Sequence, residues 1–103
     1  MKIRNIDMVN FMNHVHEIRV KKLPTMFSFA LKCNITELSK LAPSYKEAYE
    51  KAEDDAARNE LAMQEVNVNI QTISKKVLEK LDTDSRFDAL TALEFDVISF
   101  MIE

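Results

Sequence analysis

Apolar residues recur at helical spacing along most of this chain. Val9, Met12, Val15 and Ile18 mark a first stripe, widened by Met8 and Phe11, and such spacing predicts a helix with one buried side. Asn5 is a capping residue type ahead of it, and Asp7 falls in the first turn, where the helix dipole favours an anion. The helix is predicted to end near Val20, with Lys21 and Lys22 complementing its C-terminus. Pro24 suits the first position of a second helix, where a missing N–H costs nothing. Phe27, Leu31, Leu38, Leu41 and Tyr45 follow, with Ile35 beside them, and the stripe runs on in phase through Tyr49, Ala52, Ala56 and Met63. Pro43 interrupts it, and Ser44-Tyr45-Lys46-Glu47 fits a capping box. Either one helix kinks at Pro43 or a second begins there. Past Tyr49 the stripe is alanine-rich, so a neighbouring helix can approach closely.

The period then changes. Val66-Asn67-Val68-Asn69-Ile70-Gln71 alternates apolar and polar, as does Met1-Lys2-Ile3-Arg4, and alternation is the strand pattern. These two segments are predicted to be extended neighbours. Ser74 or Thr72 can cap a short helix reaching Leu81, Asp82–Ser85 reads as a loop, and Thr91-Ala92-Leu93-Glu94 is a second capping box. The last helix carries two stripes, Leu90/Leu93/Val97/Met101 and Phe95/Ile98/Ile102. A helix apolar on most sides must be covered on most sides. A second copy of the chain is expected to supply part of that cover, making Phe95, Ile98, Phe100 and Ile102 the candidate interface of a homo-oligomer, most simply a dimer. The expected fold is a single mainly α domain over 1–103. It has four to five helices, a long central helical hairpin kinked or broken at Pro43, and at most a two-stranded β pair.

Composition sharpens this. Among 103 residues there is no glycine, where about seven are usual. Gly-rich phosphate loops and the dinucleotide fingerprint need backbone without a Cβ and are excluded. Tight hairpin turns are disfavoured too, which argues against an all-β fold. The net charge is -3, so nucleic acid is not an expected partner. Charge is unevenly spread. Over residues 1–23, Lys2, Arg4, Arg19, Lys21 and Lys22 face only Asp7 and Glu17; over 46–65, Lys46, Lys51 and Arg58 face seven carboxylates. A single cysteine, Cys33, fits a reducing compartment. No apolar stretch reaches the ~20 residues of a membrane span, and the opening residues lack a signal-peptide core. A cytoplasmic location is expected.

Little here points to bond-making chemistry. His14 and His16 stand two apart and diverge on a helix, whereas metal pairs need a spacing of three or four. Cys33 lies among apolar residues and reads as inert packing. The carboxylates of 47–65 read as a solvated helix face. No nucleophile–base arrangement is signalled, so no enzyme, cofactor or metal is expected. The candidate ligand site is cationic: Arg19, Lys21, Lys22 and Lys32, with the Thr25 and Ser28 hydroxyls, gather where the first helix ends and the second begins. Free N–H groups there favour an anion.

Three segments carry a resemblance over nearly the whole chain: Met1-Lys2-Ile3-Arg4-Asn5-Ile6-Asp7, Lys22-Leu23-Pro24-Thr25-Met26-Phe27-Ser28-Phe29-Ala30, and Phe95-Asp96-Val97-Ile98-Ser99-Phe100-Met101-Ile102-Glu103. Together they resemble small uncharacterised proteins of phages and prophages in Gram-positive bacteria. Those share a basic opening, a KLP-type helix start, an alternating valine segment and a T-x-x-E helix near the end. The chain departs from them in Pro43 and in a shorter charged region. The resemblance transfers no functional residue. It implies no activity, but a phage context favours a non-enzymatic anti-defence protein that blocks a host immune protein or sequesters a phosphate-containing nucleotide signal. The alternative is a structural or morphogenesis accessory assembling through its last helix.

Overall fold

In a computed structural model describing residues 1–103, the first stripe forms helix α1 (Asn5–Arg19), which buries Met8, Phe11, Val15 and Ile18. The order is β1 (Lys2–Arg4), α1, α2 (Thr25–Ser39), α3 (Ala42–Lys51), α4 (Asp55–Met63), β2 (Glu65–Asn67), α5 (Lys75–Thr83) and α6 (Ala92–Ile98), closing on a 3-10 turn (Ser99–Met101). The protein is mainly helical with one two-stranded antiparallel sheet. It has six helices, more than the four to five expected, because the 25–63 stripe is cut twice. Fully buried side chains can each contribute about 1.5–3 kcal/mol. They come chiefly from α1, from Phe27, Leu31 and Leu38 of α2, and from Ile98 and Met101.

The cuts have local causes. After α2 the Leu41 N–H bonds to the Leu38 carbonyl, and the Tyr45 N–H bonds to the Leu41 carbonyl, so helix restarts at Ala42. Pro43 therefore lies in the first turn of α3, where no N–H is required of it. Ser44 is already inside α3, and the Ser44–Glu47 capping box does not form. In place of one long hairpin, α3 and α4 are short helices separated at Asp54, whose side chain caps α4 by accepting the Ala57 N–H at 2.8 Å. Asn5 does not cap α1. Arg4 occupies that position, while the Asn5 amide is buried and donates to the Leu61 carbonyl at 2.9 Å. Pro24 stands just before α2 rather than in its first turn.

The two alternating segments meet as expected, with Lys2, Ile3 and Arg4 opposite Asn67, Val66 and Glu65. The Val68 N–H donates to the Met1 carbonyl at 2.8 Å, but the strand ends at Asn67, short of Gln71. The chain then stays non-helical to Ser74. There Ile73 forms a parallel bridge with Ile102: its N–H reaches the Met101 carbonyl, and its own carbonyl accepts the Glu103 N–H. The last helix accordingly stops at Ile98. The Thr91–Glu94 capping box is complete. Ser74 caps α5, accepting the Val77 N–H at 3.3 Å. Ser74→Ala is expected to cost about 1 kcal/mol, read as a lower urea midpoint at unchanged slope.

Candidate binding groove

Helix α1 has a second apolar side. Met8 and Phe11 point into the core, while Val9 and Met12, one position on, are half-buried. Helices α3 and α4 fold back along that flank without burying a residue of their own. Between α1 and α3 lies a hollow of about 310 Å³ lined by Met8, Val9, Met12, Tyr45 and Tyr49, together with Asn13 and Lys46. A second, of about 610 Å³, adds Ile6, Arg58 and Ala62 and shares Val9, Tyr45 and Tyr49. The two form one apolar groove floored by α1.

Its wall is aromatic. The Tyr45 and Tyr49 rings, one helical turn apart, lie 5.9 Å between centroids at 35°. The Arg58 guanidinium sits 5.0 Å above the Tyr49 ring, and its Nε donates to the Tyr49 carbonyl at 3.4 Å. Those two contacts tie α4 to α3 through one side chain, which within α4 also faces Asp55 at 3.6 Å. Burial raises the Tyr45 phenol above its ordinary value, helped by Tyr49, so it remains a neutral donor. Tyr49 is 42% exposed. The groove thus sets two amphipathic rings over an apolar floor.

The expected cationic cluster is divided. Lys21 Nζ pairs with Glu94 at 3.2 Å and donates to the Ala89 carbonyl at 3.1 Å. The Lys22 main-chain N–H donates to the Asp88 carboxylate at 2.7 Å, and the Asp88 N–H returns to the Lys22 carbonyl. Both residues thus fasten the segment before α6 to the α1–α2 corner. Thr25 is exposed at the start of α2. Only Arg19, Ser28 and Lys32 share a hollow. Cys33 is half-buried.

The candidate interface is also divided. Ile98 is fully enclosed by its own chain, so it has no surface to offer a second copy. Phe100 packs edge-on against Phe11 at 5.2 Å and 82°, Ile102 bridges to Ile73, and Phe95 is half-buried. The core that one short helix seemed to lack is supplied by α1 and the Ile73 strand. His14 lines a polar cleft of about 410 Å³ with Arg4, Asp7 and Asp96. There Arg4 and Asp7 bond to each other twice, at 3.1 and 3.2 Å. No three ligating side chains converge anywhere in the chain, and no helix is long and apolar enough to cross a membrane.

No protein family, curated protein or solved structure matches this chain. The groove residues were visible in the sequence only as core: Tyr45 and Tyr49 continued the α2 stripe, and Val9 and Met12 belonged to that of α1. The alanine-rich run beyond Tyr49 was the available signal that a close helix neighbour lay there.

Proposed function

We propose that this is a non-enzymatic binding protein whose α1–α3–α4 groove takes an amphipathic, positively charged helix of a partner protein. The observation that carries the reading is the pair Tyr45 and Tyr49 on α3, set over an apolar floor where neither α3 nor α4 buries a residue. Helices of ten and nine residues have little stability of their own in water, so a partner lying on them would complete their packing. Helix-in-groove docking uses apolar anchors one turn apart, and tyrosine is enriched among residues that dominate interface energy. Lys46, Arg58 and Asp55 line the groove itself, and the wider balance of 46–65, three basic residues against seven acidic ones, is what would steer a basic partner toward it.

The chain exposes 6713 Å², against about 5900 Å² for a typical monomer of this mass, a surplus that goes with its elongated shape of 50 × 23 × 19 Å. Following the phage resemblance, the partner would be a host defence protein, occluded by this contact. The Lys21 ammonium is taken up by Glu94, so the cationic site of the nucleotide-sequestering version is left with fewer charges than the sequence suggests.

A designed amphipathic peptide of leucine and lysine, labelled and followed by fluorescence anisotropy, tests the reading. It is expected to bind saturably, at least about tenfold more weakly to Tyr49→Ala, and its leucine–glutamate counterpart is expected not to bind. Equal binding of both peptides, or of neither, would rule the groove out. Tyr49 is partly exposed, so the substitution leaves the melting midpoint nearly unchanged.

A further inference from the structure

Arg19, the last residue of α1, faces Ser28 and Lys32, one turn apart on α2, across a hollow of about 270 Å³. Leu31, which is buried, and Ile35 also line it. Neither cation has a carboxylate within 4.0 Å; every ion pair in the chain is made by other residues. The Ser28 main-chain N–H is used by the Pro24 carbonyl, but its hydroxyl bonds to nothing in the chain. Eight of the fourteen basic side chains make no ion pair; Arg19 and Lys32 are two of them, and they line one hollow together with a hydroxyl that has no internal partner. The nearby Lys21 shows the contrast, since its ammonium pairs with Glu94.

We propose that this hollow binds the phosphate group of a small phosphorylated metabolite. Arg19 and Lys32 supply positive charge from two helices and the Ser28 hydroxyl donates a hydrogen bond. A phosphate monoester carries up to two charges and three strong acceptor oxygens near pH 7, and charged donors bind such oxygens about twice as strongly as neutral ones. The hollow is smaller than the roughly 300–1,000 Å³ of sites that enclose a drug-sized ligand. It therefore holds the phosphate and leaves the rest of the molecule outside, over Leu31 and Ile35. This site is separate from the groove and stands without it.

Titration of the whole protein with inorganic phosphate and with adenosine monophosphate, at constant ionic strength, tests the proposal. The main-chain resonances of Ser28 and Lys32 report binding by NMR. Both ligands are expected to saturate and to compete. Arg19→Gln and Lys32→Gln are each expected to weaken both by roughly tenfold, with unchanged melting since both side chains are exposed, and Ser28→Ala by less. Shifts that stay linear in ligand, or saturation unaltered in Arg19→Gln and Lys32→Gln, would overturn it. So would binding of the nucleotide with none of inorganic phosphate, because the phosphate group would then not be what is recognised.

Discussion

Asn34→Ala is expected to remove about 2–3 kcal/mol of stability and to lower the melting midpoint by on the order of 10–20 °C. Asn34 is fully enclosed in the second turn from the end of α2. Its Nδ2 donates to the Gln71 carbonyl at 2.9 Å, and its Oδ1 accepts the Gln71 N–H at 2.8 Å. One amide side chain thus gives Gln71 the two bonds that a neighbouring strand would have given. Nδ2 also lies 3.5 Å from the Met101 sulfur, so the clamp faces the core on its far side. Alanine leaves a cavity and two main-chain groups without partners. Asn34→Asp keeps the acceptor but sets a carboxylate oxygen against the Gln71 carbonyl and buries a charge, so it is expected to cost at least as much. Thermal and urea unfolding followed by circular dichroism measure both. Wild-type stability in Asn34→Ala would show that the 68–74 segment is held by Val68 and Ile73 alone.

The second large effect lies at Glu94, which is buried at the start of α6. Burial pushes its carboxyl upward, but the Thr91 N–H and the Lys21 ammonium outweigh that and hold it below the ordinary value of 4.5. The folded protein therefore holds this carboxylate ionised more firmly than the unfolded chain does. Its contribution is complete above about pH 4.5 and is lost as pH falls through the lower, folded value. Glu94→Ala breaks both the capping box and the Lys21 pair and is expected to cost about 2–3 kcal/mol at pH 7. It should also flatten the fall in stability below pH 4.5. Asp84 acts in the same direction: the Arg86 side chain, then its main-chain N–H, bring the Asp84 carboxyl down to about 2. Arg86 is largely exposed, so salt screens that pair while sparing Glu94. Urea midpoints from pH 3 to 7, at low and high salt, separate the two. A wild-type pH profile in Glu94→Ala would refute the assignment.

Much of the architecture was legible where one local signal had no competitor. The alternation of Met1–Arg4 and Val66–Gln71 placed both strands beside each other, and Thr91 and Glu94 together marked the start of α6. Signals that long-range contacts override were misleading. Ser44 and Glu47 have capping spacing, but Leu41 restarts the helix before them. Asn5 is a capping type, but the Leu61 carbonyl draws its amide inward. The last helix was read as too apolar for one chain because nothing local announces that Ile102 pairs with Ile73. The candidate sites suffered from the same blindness. Charge counting grouped Lys21 with Arg19, Lys22 and Lys32, although Glu94, some 70 positions later, takes up the Lys21 ammonium. Periodicity likewise cannot divide Met8 and Phe11 from Val9 and Met12, because neighbouring residues on one wide stripe differ only in what tertiary structure lays over them.

The pairing of the first residues with a segment far along the chain fixes the order of events during synthesis. Met1 and Val68 bond across a separation of 67 residues, and Asn5 bonds to Leu61 and Gln64. At about 5–20 residues per second, the opening strand waits some 3–13 s for its neighbour to be made. Phe100, the ring against Phe11, comes later still. Until β2 is made, α1 can pack only against α2, α3 and α4, which precede it in the chain. The nascent protein thus displays its apolar α1 stripe to the cell for seconds before it is fully covered, and chaperones that bind such stripes meet it in that interval.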